Sequence, residues 1–230
     1  MKHHVIGLTG YARVGKDTVA DLLVTHLNFR KMAFADALRA EVAEGFGVDL
    51  IYLTRPDLKN EPIKALRMAL APADFFAHAT RHIPGIPRDE NGMITVEWLH
   101  TPRSPRQILQ WWGTEYRRKL DPRYWTKLMH QRLIETSRMG YSRFVITDVR
   151  FVNEAETMEF FKAQIWQITR PGIDGASTVE GQHTSVTDGT EFKPHAVINN
   201  CHDIRHLQQL VLGLYLSKET GIERLRVEVA

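Results

Sequence analysis

The sequence predicts an α/β protein: a five-stranded parallel sheet flanked by helices, with a large helical insertion between the second and third strands. Three observations carry this. An apolar run, Val5-Ile6-Gly7-Leu8-Thr9, leads straight into Gly10-x4-Gly15-Lys16. Short apolar runs alternate with helical periodicity near both ends of the chain, which is the pattern of βαβ units. The middle of the chain carries helix-start signals but no convincing strand pair.

The elements follow in order. Val5–Thr9 reads as a buried strand. Asp17–Leu27 places Val19, Leu22, Leu23 and Leu27 on one side of a helix. Phe29–Ala35 reads as a second short strand. Asp36–Phe46 reads as a second helix, with Asp36 as N-cap and Gly47 closing it. From about 50 to 140, Pro62, Pro72, Ser104-Pro105 and Asp121-Pro122 each precede a periodic stretch, as caps or first-turn prolines do. Ile83–Thr95, with its prolines and glycines, reads as a surface loop. Strands return at Phe144–Thr147, Ile165–Ile168 and Ala196–Ile198, with helices at Asn153–Lys162 and Ile204–Leu216. Pro171–Lys193 is rich in Gly, Thr, Ser and Asp and reads as a loop. The expected organisation is one domain over 1–230, with a core of 1–48 and 141–230 and an insertion at about 50–140.

Composition narrows the function. The chain has 230 residues, 43% hydrophobic and 25% charged, as an ordinary globular protein has. A formal charge of +3 suits anionic small molecules but is too weak to argue for nucleic acid. Cys201 is the sole cysteine, so no internal disulfide is expected and a reducing compartment is. No secretory signal and no run of about 18 apolar residues is seen. The expectation is a cytoplasmic protein with no membrane partner.

Gly10-Tyr11-Ala12-Arg13-Val14-Gly15-Lys16-Asp17-Thr18 is the motif with chemical content. Gly10 and Gly15 let the backbone turn tightly, so that successive N–H groups can face an anion. The helix that follows directs its positive dipole end at the same place. Lys16 adds an ammonium for β- and γ-phosphates, and a Thr hydroxyl can ligate Mg²⁺. Here Thr18 stands second after the lysine and Asp17 takes the usual hydroxyl position, where it can hold Mg²⁺ through water. Strand before and helix after complete the context of a P-loop NTPase fold.

A second acidic position is Asp148, at the end of the Phe144–Thr147 strand. Such a residue either faces Mg²⁺ beside the phosphates or caps a helix. Arg150, Asn153 and Glu154 follow on the next turn. Phosphoryl transfer needs cations on the transferring group, and arginine offers bidentate donors for its oxygens. Arg13 in the loop and Arg150 beside Asp148 stand out among the arginines. Trp111, Trp112 and Trp125 lie close together in the insertion. Trp111 and Trp112 can stack on a base or pack a helix, and the sequence leaves both readings open.

Four blocks resemble the bacteriophage-type deoxynucleoside monophosphate kinases: Thr9–Asp21, Arg106–Trp125, Phe144–Glu154 and Ile168–Gly172. A weaker echo runs from His183-Thr184-Ser185 to Val197-Ile198-Asn199-Asn200. The first block is shared with phosphomevalonate and dephospho-coenzyme A kinases. The Gly-Thr-Glu helix with Asp-Pro-x-Tyr-Trp, and then Asp-x-Arg-x-x-x-Glu, is more specific. The resemblance implies ATP and Mg²⁺ as cofactors and a deoxynucleoside monophosphate (dNMP) as acceptor. It implies that Gly10, Arg13, Val14, Gly15, Lys16, Asp17, Thr18 and Arg170 bind ATP, with Asp17, Thr18 and Asp148 at the metal. It assigns the acceptor to Leu38, Arg39, Arg106, Gly113, Thr114, Trp125, Asp148, Arg150 and Glu154, and electrostatic catalysis to Lys16, Arg13 and Arg150. By analogy it admits a homodimer in a bacterial or phage-infected cytosol.

The leading expectation is therefore an ATP:dNMP phosphotransferase. A kinase of the same fold acting on another phosphomonoester, of the phosphomevalonate or dephospho-coenzyme A type, is the alternative. A non-catalytic nucleotide switch ranks below both, because no Asn-Lys-x-Asp is present.

Overall fold

The structure is a computed structural model, and it describes residues 3–173 and 192–220. The His183-Thr184-Ser185 echo and most of the Pro171–Lys193 loop lie outside the described residues. The first strand, β1, is His4–Thr9, and helix α1 is Lys16–Leu27. Strand β2 (Arg30–Met32) is followed by α2 (Phe34–Phe46). Next come the short helix α3 (Ile51–Thr54), 3₁₀ turns at Lys64–Leu66 and Met68–Leu70, α4 (Ala73–His82) and α5 (Val96–His100). Helix α6 (Pro105–Gln110) runs on into a π-helix, Trp111–Arg118. The chain continues through α7 (Tyr124–Arg138), β3 (Arg143–Ile146), α8 (Val152–Phe160), β4 (Gln164–Thr169), β5 (Ala196–Asn199) and α9 (Ile204–Thr220).

The five strands form one parallel sheet in the order β2-β3-β1-β4-β5. The central strand β1 pairs with β3 on one side and β4 on the other, with Ile6 opposite Val145 and Gln164. The chain runs from β1 to the β2 edge, returns to β3, and then crosses β1 to reach β4 and β5, so the carboxyl end of β1 lies at the switch point where such sheets bind ligands. The central strands β1, β3 and β4 are largely apolar because helices cover both faces of the sheet. Leu8, Val19, Leu23, Trp166, Ile168 and Val211 form one buried core with α1 and α9 packed together over it. On α8, Ala155 and Met158 are buried, and that helix packs on β1 and β4. Each large side chain fully buried this way contributes roughly 2 kcal/mol.

The chain divides into two compact units: one of Met1–Phe34 with His130–Ala230, the other of Ala35–Met129. The second unit is helical, as its helix-start signals indicated. An aromatic cluster fills it: Phe75 stacks on Trp112 at 4.6 Å, with Phe46 and Tyr116 edge-on or tilted around them. Gly45 makes room, since a Cβ there would lie 2.6 Å from the Trp112 ring.

One boundary differs from the sequence expectation. The second strand ends at Met32, and α2 begins at Phe34, ahead of Asp36. The reason is a long-range contact: Asp148 Oδ1 accepts from Phe34 N at 2.8 Å and so satisfies an amide at the start of the helix. Asp36 instead lies in the first helical turn, where its charge suits the helix dipole. Among the described residues no helix is long and apolar enough to cross a membrane.

Candidate active site

The loop between β1 and α1 is built on three positive-φ residues: Gly10 (φ 127°), Arg13 (φ 67°) and Gly15 (φ 106°). Two neighbouring strands hold it. Gly10 lies so close to β4 that a Cβ would come 2.3 Å from Ile168 O. Asn200, just after β5, donates from Nδ2 to Val14 O at 2.9 Å, and a Cβ on Gly15 would come 2.5 Å from that Nδ2. Val14 is itself buried in the core. The first turn of α1 has no side-chain cap, so no side chain competes for its amides. Lys16 Nζ lies over the loop, donating to Gly10 O and Tyr11 O, each at 2.7 Å. This is a cradle of backbone donors with an ammonium beside it, the donor chemistry that phosphates require.

Asn200 has the clearest structural role that the sequence did not assign. It falls in the weak Val197–Asn200 echo, so its position was visible although its bond to the loop was not. Asn200→Ala should lower stability by about 1 kcal/mol, the usual worth of one such bond. Urea unfolding would measure this.

The acidic residues near the loop divide by what they touch. Asp17 is exposed, and its Oδ1 pairs with Lys31 Nζ at 3.0 Å, as does Asp21 Oδ1. Burial lowers the Lys31 pKa, but the two carboxylates more than offset it, so the net shift is upward. Because the folded value is raised, this pair contributes stability below the ordinary lysine range and loses it as pH rises above that range. Thr18 is exposed, one turn into α1. Asp148 stands at the carboxyl end of β3 and accepts from Phe34 N. Glu154 is 2% exposed, and its Oε2 accepts from Arg150 N at 2.8 Å and Phe151 N at 3.2 Å. It braces the turn that carries Arg150, whose side chain is exposed. Arg13 and Arg170 are exposed too. Among the described residues, no three His, Cys, Asp or Glu side chains are grouped to hold a metal. Mg²⁺ in phosphoryl-transfer sites typically takes only one or two protein ligands, the rest coming from phosphate and water. Thr18, Asp17 and Asp148 carry oxygen donors of the kind such a site uses.

In the helical unit the structure brings together Leu38, Gly113 and Trp125. Trp125 Nε1 donates to Gly113 O at 3.2 Å, and a Cβ on Gly113 would come 3.2 Å from Leu38 Cδ2. Thr114, beside Gly113, is exposed. Arg39 pairs with Asp36 at 3.4 Å on α2. Arg106 lies in the first turn of α6, after the cap in which Ser104 Oγ accepts from Gln107 N at 3.3 Å. Trp112 is 4% exposed in the aromatic cluster, so of the two readings left open it packs a core. Trp111 is half-buried and stacks on Trp98 at 6.0 Å, with Arg103 over both rings.

The sheet order and the glycine-lysine loop at the end of its central strand define a P-loop phosphotransferase fold. A protein-family model described as deoxynucleotide monophosphate kinase matches residues 83–211, and the chain belongs to that family. It is a nucleotide kinase. The deoxynucleotide monophosphate kinase of Enterobacteria phage T4 is 23% identical over 197 residues, covering 73% of this chain and 82% of that protein. Two solved structures are similar at low identity. An unliganded sugar kinase from Janibacter sp. has a TM-score of 0.45 at 10% identity, over 93% of this chain and 94% of that one. A dephospho-CoA kinase from Campylobacter jejuni has a TM-score of 0.45 at 11% identity, over 96% of this chain and 99% of that one.

Proposed function

We propose that the protein transfers the γ-phosphoryl group of ATP to a dNMP, giving a dNDP and ADP. The observation that carries this reading is the pairing of two features in one chain. One is the glycine-lysine cradle at Gly10–Thr18. The other is the Leu38–Gly113–Trp125 cluster, in which Gly113 and Trp125 fall within the residues that the family model matches. Gly10, Arg13, Val14, Gly15, Lys16, Asp17, Thr18 and Arg170 are assigned to ATP, and Thr18, Asp17 and Asp148 to its Mg²⁺. Leu38, Arg39, Arg106, Gly113, Thr114 and Trp125 are assigned to the acceptor, with Arg150 as a cation for the transferring group.

The acceptor is already a phosphate oxyanion, so no general base is required. What the chain supplies is position and charge. Lys16 leaves Gly10 O and Tyr11 O to follow the β- and γ-oxygens. Glu154 acts through the backbone, holding the turn that presents Arg150. Thr18, Asp17 and Asp148 would hold Mg²⁺, which would supply positive charge to the phosphates.

A coupled ADP-release assay over the four dNMPs, their ribonucleotides, phosphomevalonate and dephospho-coenzyme A tests the assignment. Turnover with at least one dNMP, exceeding that with the two non-nucleotide-kinase acceptors by at least about a hundredfold, is expected. Preferential turnover of either of those two acceptors would replace the reading with the other kinase class.

A further inference from the structure

Three donors converge on one carboxylate in the helical unit. Glu41, on α2, has a side chain 19% exposed. Its Oε2 accepts from Trp112 Nε1 at 2.8 Å and from Arg117 Nε at 2.8 Å. Its Oε1 accepts from the Tyr124 hydroxyl. The Arg117 guanidinium also lies over the Tyr116 and Tyr124 rings, at 4.5 and 4.7 Å. Burial, and then the bond to Glu41, push the Tyr124 phenol up to about 12, so it stays a donor at neutral pH.

The donors fall on both sides of the proposed acceptor residues. Trp112 precedes Gly113, Arg117 follows Thr114 by three, and Tyr124 precedes Trp125. Their spacing matters. Trp112 and Arg117 are five apart, and in an α-helix residues five apart diverge by about 140° around the axis. In the i→i+5 register of a π-helix they come much closer to alignment. One oxygen that takes both side chains therefore favours the wide register seen at Trp111–Arg118. The Gly113 carbonyl lies within this wide segment and receives the Trp125 indole. Only a carboxylate can serve all three donors, being acceptor-only with lone pairs on both oxygens.

We propose that Glu41 is a positioning residue for the acceptor: it fixes the π-helical register that sets Gly113, Thr114 and Trp125 in place. This rests on the dNMP kinase reading above. The test uses the full chain as Glu41→Gln and Tyr124→Phe, with KM for the dNMP and for ATP measured separately. Thermal unfolding and the near-ultraviolet circular dichroism of the tryptophans accompany the kinetics. Gln offers one acceptor oxygen and turns an amide NH₂ toward donors. Glu41→Gln should therefore raise the acceptor KM about tenfold or more, leave the ATP KM within about twofold, and alter the tryptophan signal. Tyr124→Phe removes one donor and should raise the acceptor KM by about two- to fourfold.

An unchanged acceptor KM in a folded Glu41→Gln protein that merely melts earlier would overturn the proposal, showing a structural role alone. If Glu41→Gln does not fold, Tyr124→Phe decides, and an unmoved acceptor KM there overturns it equally. A wild-type protein that turns over no dNMP fails the functional reading and the proposal together. An active wild type with unmoved variants fails the proposal alone.

Discussion

Lys16→Met is expected to lower turnover by about 10³-fold or more while the protein stays folded. The ammonium is the one loop cation that the structure places directly on the cradle, 2.7 Å from both Gly10 O and Tyr11 O. Removing one preorganised charge from a phosphoryl-transfer site typically costs three or more orders of magnitude, because the charge acts where the transition state is most negative. Methionine keeps the length and apolar stem of the lysine, so packing beneath the loop should survive. The structural loss includes two bonds to partly buried backbone carbonyls, about 1–2 kcal/mol. ADP release under saturating ATP and dNMP gives the rate, and circular dichroism with urea unfolding gives the fold. Near-normal turnover in a folded Lys16→Met protein would sink the assignment of the loop to the transferring phosphate.

How far the sequence could be read depended on the range of the interactions involved. The β1, β3, β4 and β5 strands were legible because each contains a short apolar run, a property local to the run. Ser104-Pro105 was legible as a helix start for the same reason: cap and first-turn proline are neighbours. The start of α2 was not legible, because its cap comes from Asp148, 114 residues away. Asp148 had two candidate roles, and the cap is seen, though on the helix after β2 rather than the one after β3. Glu154 followed an Asp-x-Arg-x-x-x-Glu spacing that suggests a ligand. Four residues from Arg150 on a helix start, its side chain returns to its own turn and takes two backbone amides, a contact the spacing did not announce. The π-helix has no sequence signature at all. Its register is supported by Glu41, 71 residues from Trp112, so no local pattern announces it. Gly113 and Trp125 were legible as site residues only through their motif. That they touch is seen only in the fold, where the Trp125 indole meets the Gly113 carbonyl.

Gly10→Ala is expected to destabilise the protein by about 3–5 kcal/mol, and the comparison with Gly47→Ala shows why. Both glycines have positive φ, 127° at Gly10 and 62° at Gly47. A Cβ at Gly47 meets nothing within 4 Å, so alanine there costs only its conformational strain, about 1–2 kcal/mol. A Cβ at Gly10 comes 2.3 Å from Ile168 O. That oxygen is backbone in β4, which is paired to β1 from Ile6↔Gln164 through Thr9↔Gln167 and to β5 from Trp166↔Ala196 through Thr169↔Asn199. It cannot withdraw without opening the ladder on one side. The loop cannot withdraw either, since Val14 is buried and its carbonyl is tied to Asn200. Overpacking costs of about 1–3 kcal/mol therefore add to the strain at a φ that only glycine tolerates well. Urea unfolding of the two variants side by side separates the terms, because the contact is present at one position and absent at the other. A Gly10→Ala protein no less stable than Gly47→Ala would mean that β4 does not hold the loop as closely as the fold indicates. The loop's geometry would then be set by its own glycines rather than by the sheet.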